Sequence, residues 1–414
     1  MSAADEVERV ARLSWGRLVA ILAARTGSVQ AAADALGDAL VRALETWPVQ
    51  GVPARPEAWL VAAARNRLAD AGRHAKVVEA ARAHLDLLEE ERAAMAEAAT
   101  PDRILNLMFV CAHPAIDPRM HTPLMLQLVL GLDARRMAAA FLVSPDALSR
   151  RLGRARAKIE TAGIGFALPD PETIEGRLGP VLDAVYAAYT VGIDGEGGGD
   201  AKSSSLAREA LWLARVLADH VRHAEAQGLF ALMLYAQARH PARSGPAGAF
   251  VPLEAQDSAL WNGALIEEAE ARLRAAGRAG VLGRYQIEAA IQAAHCGRRS
   301  GAPTDWRSIA ALYRGLLALR PTTGAVCGFA AALGETDGPA AGLAVLDAVA
   351  EPRRLAYQPW WATRAHLLAA AGRLDEAADA YAYAHAGALT TDPAVQAFLA
   401  GRRAAIVAGG VADR

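Results

Sequence analysis

Five basic side chains crowd one short segment, SPDALSRRLGRARAKIE, at residues 144–160. Arginine carries a planar fork of hydrogen-bond donors that fits phosphate oxygens and the edge of a guanine base. Arg150 and Arg154 lie one helical turn apart, with Ser149 and Arg151 beside them and Arg156 half a turn further on. Residues of this type at this spacing predict contacts with nucleic acid and offer no acid–base or nucleophilic pair for catalysis.

The same segment contains the signals that would position those arginines. Ser144 is a typical N-cap residue, Pro145 suits the first helical position, and Asp146 suits the positive start of a helix. Leu148, Leu152, Ala155 and Ile159 recur at helical spacing and are expected to be buried on one face. Ser149, Arg150 and Arg154 should then point away from the core.

A short helix at residues 133–141 (DARRMAAAF) and a tight turn precede this segment. Two short helices with a basic outer face on the second predict a helix-turn-helix. Residues 135–158 hold seven basic side chains against one acid, a local charge of +6. A solvated amphipathic helix without a DNA partner remains the alternative for this pattern alone.

Composition narrows the class of protein. The chain has 414 residues, a net charge of −1 and 53% hydrophobic residues, with alanine, leucine and arginine abundant and β-branched residues few. We therefore expect an all-α protein. Three scattered cysteines do not form a disulfide framework, and no signal peptide or membrane-spanning run is evident. These features favour a cytoplasmic protein with no membrane partner.

Composition along the chain predicts four segments. Residues 1–79 are helical around a proline-rich loop, WPVQGVPARPEAW, and residues 80–100 form an acidic linker. Residues 101–165 form a second compact helical unit that contains the basic helix. Residues 166–414 form a long helical region after the proline-stiffened stretch FALPDPET.

Longer stretches resemble a known family. Residues 101–160 resemble region 4 of the extracytoplasmic-function (ECF) sigma factors, and the spacing S-x-x-x-L-x-x-R-L-x-R-A-R is similar to that of their recognition helix. Residues 1–79 resemble region 2. LMFVCAHPAIDP and AAAFLVSPDAL, with YQIEAAIQAAH, TDWRSIAALYRGLL and GPAAGLAVLDA later in the chain, resemble the subgroup that has a long C-terminal extension similar to tetratricopeptide (TPR) repeats.

The resemblance implies a sigma factor, with core RNA polymerase (its clamp and flap) and promoter DNA as partners. ADALGDALVRALETW at residues 33–47 corresponds to the helix that docks on the clamp, with Asp34 and Asp38 as candidate docking residues. PEAWLVAAARNRLAD at residues 56–70 corresponds to the helix that melts and reads the −10 element. The candidate DNA-binding residues are Arg65, Asn66, Arg67, Arg73, Ser149, Arg150, Arg151, Arg154 and Arg156.

The loop between Pro48 and Pro56 has three prolines and one glycine. Proline restricts the unfolded chain, so such a loop is rigid at little entropic cost. By resemblance it would capture a flipped base of the −10 element. Trp47 and Trp59 flank the loop and are expected to be core residues, which leaves the loop backbone as the pocket.

No metal, cofactor or catalytic residue is predicted. Cys111 and His113, with His121 further along, supply too few ligands for a closed zinc site, and Cys111 follows an apolar run typical of a core. The chain offers no nucleophile–base pair, phosphate loop or metal-ligand set.

The C-terminal region shows a weak repeat. Gly338 and Gly372 lie 34 residues apart (372 − 338), the period of a TPR, with Ala365, Ala377 and Tyr381 at the matching positions of the last unit. Stacked helical hairpins form a concave surface for an unknown ligand or protein. By resemblance this region regulates the sigma factor. An independent interaction module on a tether is the alternative.

Two other functions stay open at the level of sequence. One is a helix-turn-helix regulator that acts without polymerase, which would usually bind a palindrome as a dimer. The other is a TPR-type scaffold with a vestigial N-terminus. Two DNA-facing units joined by a linker favour the sigma factor.

Overall fold

The protein is all-α, as predicted. The computed structural model describes residues 2–72, 101–138, 141, 143–195, 201–350, 355–385, 389–390 and 392–409. Within these ranges the chain forms 18 α-helices and no β-strand, apart from a single antiparallel bridge between Ser244 and Phe250. Arg73 and the predicted linker at 80–100 lie outside the described residues.

Contacts divide the chain into two compact units. Unit 1 comprises Met1–Ile193 with Ala201–His220, and unit 2 comprises Asp194–Asp200 with Val221–Arg414. The helices of unit 1 are α1 (Ala3–Thr26), α2 (Val29–Gln50), α3 (Pro56–Gly72), α4 (Pro101–Cys111), α5 (Pro118–Leu128), α6 (Ala134–Ala138), α7 (Pro145–Thr161), α8 (Pro171–Gly195, which ends in unit 2) and α9 (Ala201–His220).

Local sequence fixes where these helices begin. Ser2 and Asp5 form a reciprocal capping box at the start of α1. Ser28 caps α2 by accepting a hydrogen bond from the Ala31 backbone N–H. Ser144 caps α7 in the same way, with its hydroxyl 3.3 Å from the Ala147 nitrogen, which confirms the predicted cap.

The proline-rich loop is shorter than the sequence predicts. Helix α2 continues through Pro48 to Gln50, and α3 begins at Pro56. Proline lacks the N–H that would bond to the Leu44 carbonyl. Leu44 is on the solvent side of α2, where water can satisfy that oxygen. Gly51, with φ 87°, then ends the helix and donates its N–H to the Trp47 carbonyl at 3.0 Å.

Helices α1, α2 and α3 contact one another in pairs, and α1 also contacts α4 and α5. Helix α1 is buried along most of its second half, which places it at the centre of unit 1. Helix α7 packs on α5 and α6. Its buried residues are Leu148, Leu152, Ala155 and Ile159, the four predicted to face the core.

The described residues of unit 2 form nine further helices. They are α10 (Ala224–Arg239), α11 (Gly263–Gly277), α12 (Arg284–Cys296), α13 (Trp306–Leu319), α14 (Thr323–Thr336), α15 (Pro339–Asp347), α16 (Gln358–Ala370), α17 (Leu374–Ala384) and α18 (Pro393–Val407). Each of these helices contacts the next one along the chain. Two further contacts join helices that are two apart in sequence: α10 with α12, and α14 with α16. Packing mainly between helices close in sequence is typical of helical repeats, although Phe250 also makes an edge-to-face contact with Phe398 of α18.

The two glycines of the predicted repeat occupy equivalent places. Gly338 (φ 93°) lies between α14 and α15, and Gly372 (φ 74°) lies between α16 and α17. Both backbone conformations favour glycine. Gly342 lets α15 approach α14 closely, because a Cβ there would lie 2.5 Å from the Ala330 carbonyl oxygen. Classification of these hairpins as TPR-like stays a prediction.

Residues 240–262 were predicted only as generic helix and instead form an irregular segment with four short 3₁₀ turns. Arg298 organises this segment: its guanidinium donates to the carbonyls of Leu253 (2.7 Å) and Gln256 (2.9 Å) and lies 5.4 Å from the centre of the Trp261 ring. A tertiary contact from more than 40 residues away in sequence is not visible in local periodicity.

Candidate polymerase and nucleic-acid interface

Asp34 and Asp38 share one exposed face of α2, as predicted. Val41 and Glu45 continue that face at i+7 and i+11 from Asp34, and both are exposed. Leu44 is exposed at the side of the same face. The side chain of Asp34 accepts a hydrogen bond from Gln30 Nε2 at 2.5 Å, which holds it along the helix.

Val41 is a candidate contact residue that sequence reasoning missed. Its side chain is 56% exposed, which is high for a valine. Its position could have identified it from the sequence, because Val41 lies about one helical turn after Asp38 and one turn before Leu44. The outer face of α2, which we define by Asp34, Asp38, Val41, Leu44 and Glu45, therefore combines acidic and apolar groups.

The predicted DNA-binding residues of α3 differ in exposure. Asn66 and Arg67 are exposed, whereas Arg65 is half-buried. Arg67 Nε lies 2.9 Å from Asp38 Oδ2, so a candidate DNA contact and a candidate polymerase contact pair with each other across α2 and α3. An exposed pair of this kind stabilises the fold by at most about 1 kcal/mol and is easily exchanged for other partners.

The tryptophans beside the short loop pack against each other. Trp47 is buried, Trp59 is half-buried, and their ring centres are 5.5 Å apart at an interplanar angle of 70°. This edge-to-face contact joins α2 to α3. Trp47 is a core residue, as expected.

On α7, the candidate residues Ser149, Arg150, Arg151 and Arg154 are all exposed. Arg156 is half-buried, and its Nε is buried without a hydrogen-bond partner among the described residues. Arg156 is therefore the least accessible of the predicted contacts. Arg135 and Arg136 are also exposed, on α6, the helix that packs against α7.

The Cys111–His113–His121 group is a structural turn. Cys111 is fully buried, and burial raises the pKa of its thiol far above the ordinary range. One ring nitrogen of His121 donates to the carbonyls of His113 (3.2 Å) and Ile116 (3.1 Å), which ties α5 to the preceding turn. In the part of the chain that the structure describes, no three His, Cys, Asp or Glu side chains gather as metal ligands would.

Comparison with known proteins shows which family the chain belongs to. A model of "Sigma-70 region 2" matches residues 14–77, which span the second half of α1 and all of α2 and α3. Uncharacterized protein R00370 of Rhizobium meliloti (strain 1021) is 37% identical over 357 residues, which cover 84% of each chain. The chain belongs to the same family as R00370. Its N-terminal domain is a sigma-70 region 2, and the chain is a sigma-70 family protein.

The region 2 match points to a non-enzymatic transcription factor that acts in promoter-specific initiation, and it implies binding to core RNA polymerase and promoter DNA. A second model, a family of unknown function (DUF6596), matches residues 177–277, from within α8 to the end of α11. No solved structure matches the chain.

Region 2 contains Asp34, Asp38, Asn66 and Arg67, whereas α7 lies outside both matched ranges. The assignment of residues 101–165 to region 4 therefore stays a prediction, as do the contact residues. No helix among the described residues is both long and apolar enough to cross a membrane.

Proposed function

We propose that the protein is an ECF-type sigma factor that binds core RNA polymerase and directs it to promoters with −10 and −35 elements. The observation that carries this proposal is the sigma-70 region 2 match, which falls on helices α1–α3. In this proposal α2 docks on polymerase, the C-terminal half of α3 contacts the −10 element, and α7 contacts the −35 element.

The outer face of α2 supports a polymerase partner. Asp34, Asp38 and Glu45 are exposed acids, and Val41 and Leu44 are exposed apolar groups among them. Protein interfaces combine an apolar centre with a charged rim that steers association. A partner with basic residues around an apolar surface would fit this face, and a clamp coiled coil is the partner that the resemblance implies.

The two sides of α7 support a DNA partner. The buried side anchors the helix through Leu148, Leu152 and Ile159, and the opposite side presents Arg150, Arg151 and Arg154 to solvent. A rigidly seated helix with exposed arginines is suited to the major groove, where arginine reads guanine and grips phosphates. Arg135 and Arg136 are exposed on α6, the helix before α7, and would contact the DNA phosphates in this proposal.

The short loop at 51–55 supports base capture by its backbone. Trp47 is committed to the core and Trp59 to the edge contact with Trp47, so neither ring is free to act as a stacking platform. Val52 is 41% exposed on the loop and offers an apolar contact for a base. We expect the flipped base of the −10 element at this loop.

We further propose that the helices after α7 regulate the sigma factor, with an unknown ligand or protein bound by the C-terminal helices. The long helical array of unit 2 is far more than contacts with DNA and polymerase require, and helical arrays present extended binding surfaces.

In-vitro transcription tests the proposal. Core RNA polymerase and the full-length protein would be used to select promoters from a random-sequence DNA library, and run-off transcripts from a selected template would then be measured. We expect transcripts only when both proteins are present. Specific DNA binding without any polymerase-dependent transcription would indicate a helix-turn-helix regulator instead, and absence of both would favour a scaffold.

A further inference from the structure

The irregular segment at 240–262 is long for a connection between two packed helices, because most such connections have about two to eight residues. Its two ends lie together, since the Asn262 N–H donates to the Ala238 carbonyl at 2.9 Å. The segment therefore leaves the hairpin of α10 and α11 and returns to it as a surface loop. Long loops that close on themselves in this way are frequently functional.

The second half of the loop is anchored. Arg298, in the connection between α12 and α13, donates to the carbonyls of Leu253 and Gln256. Its guanidinium also lies against the ring of Trp261. The side chains of Gln256 and Trp261 are buried. We call residues 253–262 the anchored half, because these contacts fix it to the neighbouring helices.

The first half of the loop forms a small hairpin with an exposed tip. The Val251 N–H donates to the Arg243 carbonyl at 2.9 Å, and residues 246–249 between them are exposed. Ala247 has φ 56°, a left-handed conformation that is unfavourable for alanine. We call residues 243–251 the tip hairpin. Its own backbone hydrogen bonds define its shape, and its exposed tip leaves it free to move as a unit.

One aromatic ring attaches the tip hairpin to a distant helix of unit 2. Phe250 makes an edge-to-face contact with Phe398 of α18, with the ring centres 5.3 Å apart and the planes at 65°. The two residues are 148 apart in sequence (398 − 250). Both rings are half-buried, so the contact lies at the surface. One ring can be exchanged for another there without opening the buried core.

The side of α18 that receives Phe250 suits an aromatic side chain. Ala394 and Ala405 lie on the same side as Phe398, four residues before it and seven after it. These small side chains leave the Phe398 ring accessible to a second ring. Arg402, one turn after Phe398, adds a positive charge to this side of the helix.

We propose that the side of α18 around Phe398 is a docking site for an extended segment of a partner protein, one that carries an aromatic side chain and a nearby carboxylate. The tip hairpin occupies this site in the free protein. Phe250 stands where the partner's ring binds, and Arg402 pairs with the partner's carboxylate. The anchored half stays in place while the tip hairpin moves away. The inference rests on the proposed binding role of the C-terminal helices and names the surface and the chemistry of the partner.

Peptide binding to the full-length protein tests the inference. The probe is a fluorescein-labelled synthetic peptide with the chain's own sequence at 243–256, RSGPAGAFVPLEAQ, which carries the aromatic ring and, four residues later, a carboxylate. Anisotropy measures its binding. Phe250→Ala removes the internal ring from the site. Leu260→Ala, which truncates an exposed side chain in the anchored half, is the matched control.

We expect the peptide to bind Phe250→Ala at least tenfold more tightly than it binds the wild type or Leu260→Ala, because the internal ring no longer competes. Adding Phe398→Ala should abolish this gain, whereas adding Val407→Ala, exposed elsewhere on α18, should not. Adding Arg402→Ala should weaken binding several-fold. Equal binding by the wild type and Phe250→Ala, or a gain that persists with Phe398→Ala, would overturn the docking site. Unchanged binding with Arg402→Ala would overturn the preference for a carboxylate.

A strained tip gives a second test that keeps both rings. Gly248 has φ 78°, and a Cβ there meets nothing within 4 Å, so Gly248→Ala loosens the tip hairpin through backbone strain alone. Gly277→Ala on α11 also adds a methyl group in open space, without that backbone conformation, and is the matched control. Peptide binding should tighten several-fold in Gly248→Ala and stay unchanged in Gly277→Ala. Unchanged binding in both variants would show that the tip hairpin does not occupy the site.

Run-off transcription with added peptide separates this inference from the proposed function. Peptide binding without any change in transcript yield would support the docking site and refute the proposed regulation. Absence of transcription would refute the sigma function, and the binding result would still decide the docking site. Size-exclusion chromatography checks for another occupant: a wild-type dimer that the peptide dissociates would identify a second copy of this chain and overturn a separate partner.

Discussion

Asp38 and Arg67 form an ion pair across α2 and α3, with the carboxylate oxygen 2.9 Å from the guanidinium nitrogen. The side chains are 59% and 60% exposed, so the pair is a surface contact that solvent screens. Its two members were predicted to bind different partners. If both predictions hold, binding of polymerase at Asp38 would release Arg67 for DNA, and binding of DNA at Arg67 would release Asp38, so the pair would couple the two sites.

This coupling predicts the behaviour of Asp38→Asn. The substitution should change the free energy of unfolding by less than about 1 kcal/mol, because exposed pairs contribute little. It should nevertheless weaken binding to core polymerase, measured by pull-down at several salt concentrations. Asp34→Asn with Asp38→Asn should weaken it further. The control is Glu8→Gln on α1, because Glu8 also forms a surface ion pair, with Arg12. If the control variant lost as much polymerase binding as the Asp38 variants, α2 would not be the docking helix.

Arg150→Ala and Arg154→Ala test the basic face of α7. An arginine that reads a base should cost about 1–3 kcal/mol in DNA binding and relax specificity at one position, whereas one on a phosphate should weaken binding to all sequences and lower the salt dependence. Arg119→Ala, an exposed arginine on α5, is the matched control. Anisotropy titrations against selected −35 duplexes measure both effects. Wild-type affinity in both variants, with helix content intact, would refute the recognition-helix assignment.

Local patterns predicted the helices and the core face of α7 correctly, since caps such as Ser144 and apolar spacing act within one or two turns. They did not predict the Asp38–Arg67 pair or the contact of Phe250 with Phe398, because these depend on how distant parts of the chain meet. Pro48 was interpreted as the start of a loop. Helix α2 instead continues through it, on the solvent side of the helix, where water can replace the N–H that proline lacks. The segment at 240–262 depends on Arg298, a residue beyond the next two helices.

Truncation tests whether α9 belongs to the DNA-facing unit. A chain that ends at residue 165 would expose the surfaces of α1 and α4 that α9 covers, including the side of Arg17 that faces Trp212. A chain that ends at His220 keeps the full contact set of unit 1. We expect residues 1–220 to unfold in one thermal transition and residues 1–165 to unfold about 5–10 °C lower, as expected from lost apolar burial. Equal transitions would show that α9 is dispensable for the fold.

Glu225 tests how α12 is held in unit 2. The residue before α12 is Gly283, which cannot cap the helix with a side chain. The Glu225 carboxylate, from the start of α10, accepts instead from the backbone N–H groups of Tyr285 (2.9 Å) and Gln286 (3.1 Å). Glu225→Ala should therefore destabilise the protein by about 1–3 kcal/mol, measured by urea unfolding. Glu267→Ala, exposed on α11, should be near neutral.

His295 gives unit 2 a pH-dependent stability. Burial, with the nearby charges of Arg239 and Arg298, lowers its pKa to about 4, and its ring makes an edge contact with Trp306 at 5.5 Å. The unfolded state takes up the proton near pH 6.5, whereas the folded state resists it until about pH 4. Stability is therefore complete above pH 6.5 and falls as the pH drops from 6.5 to 4. The loss of stability should reach about 3 kcal/mol.

Urea unfolding at pH 7.0, 5.5 and 4.5 measures this pH dependence. The free energy of unfolding should fall with pH in the wild type and fall less steeply in His295→Gln. Because the remaining titratable groups are the same in both proteins, the difference between the two slopes isolates His295. Identical slopes would mean that the ring takes up its proton as readily in the folded state as in the unfolded state.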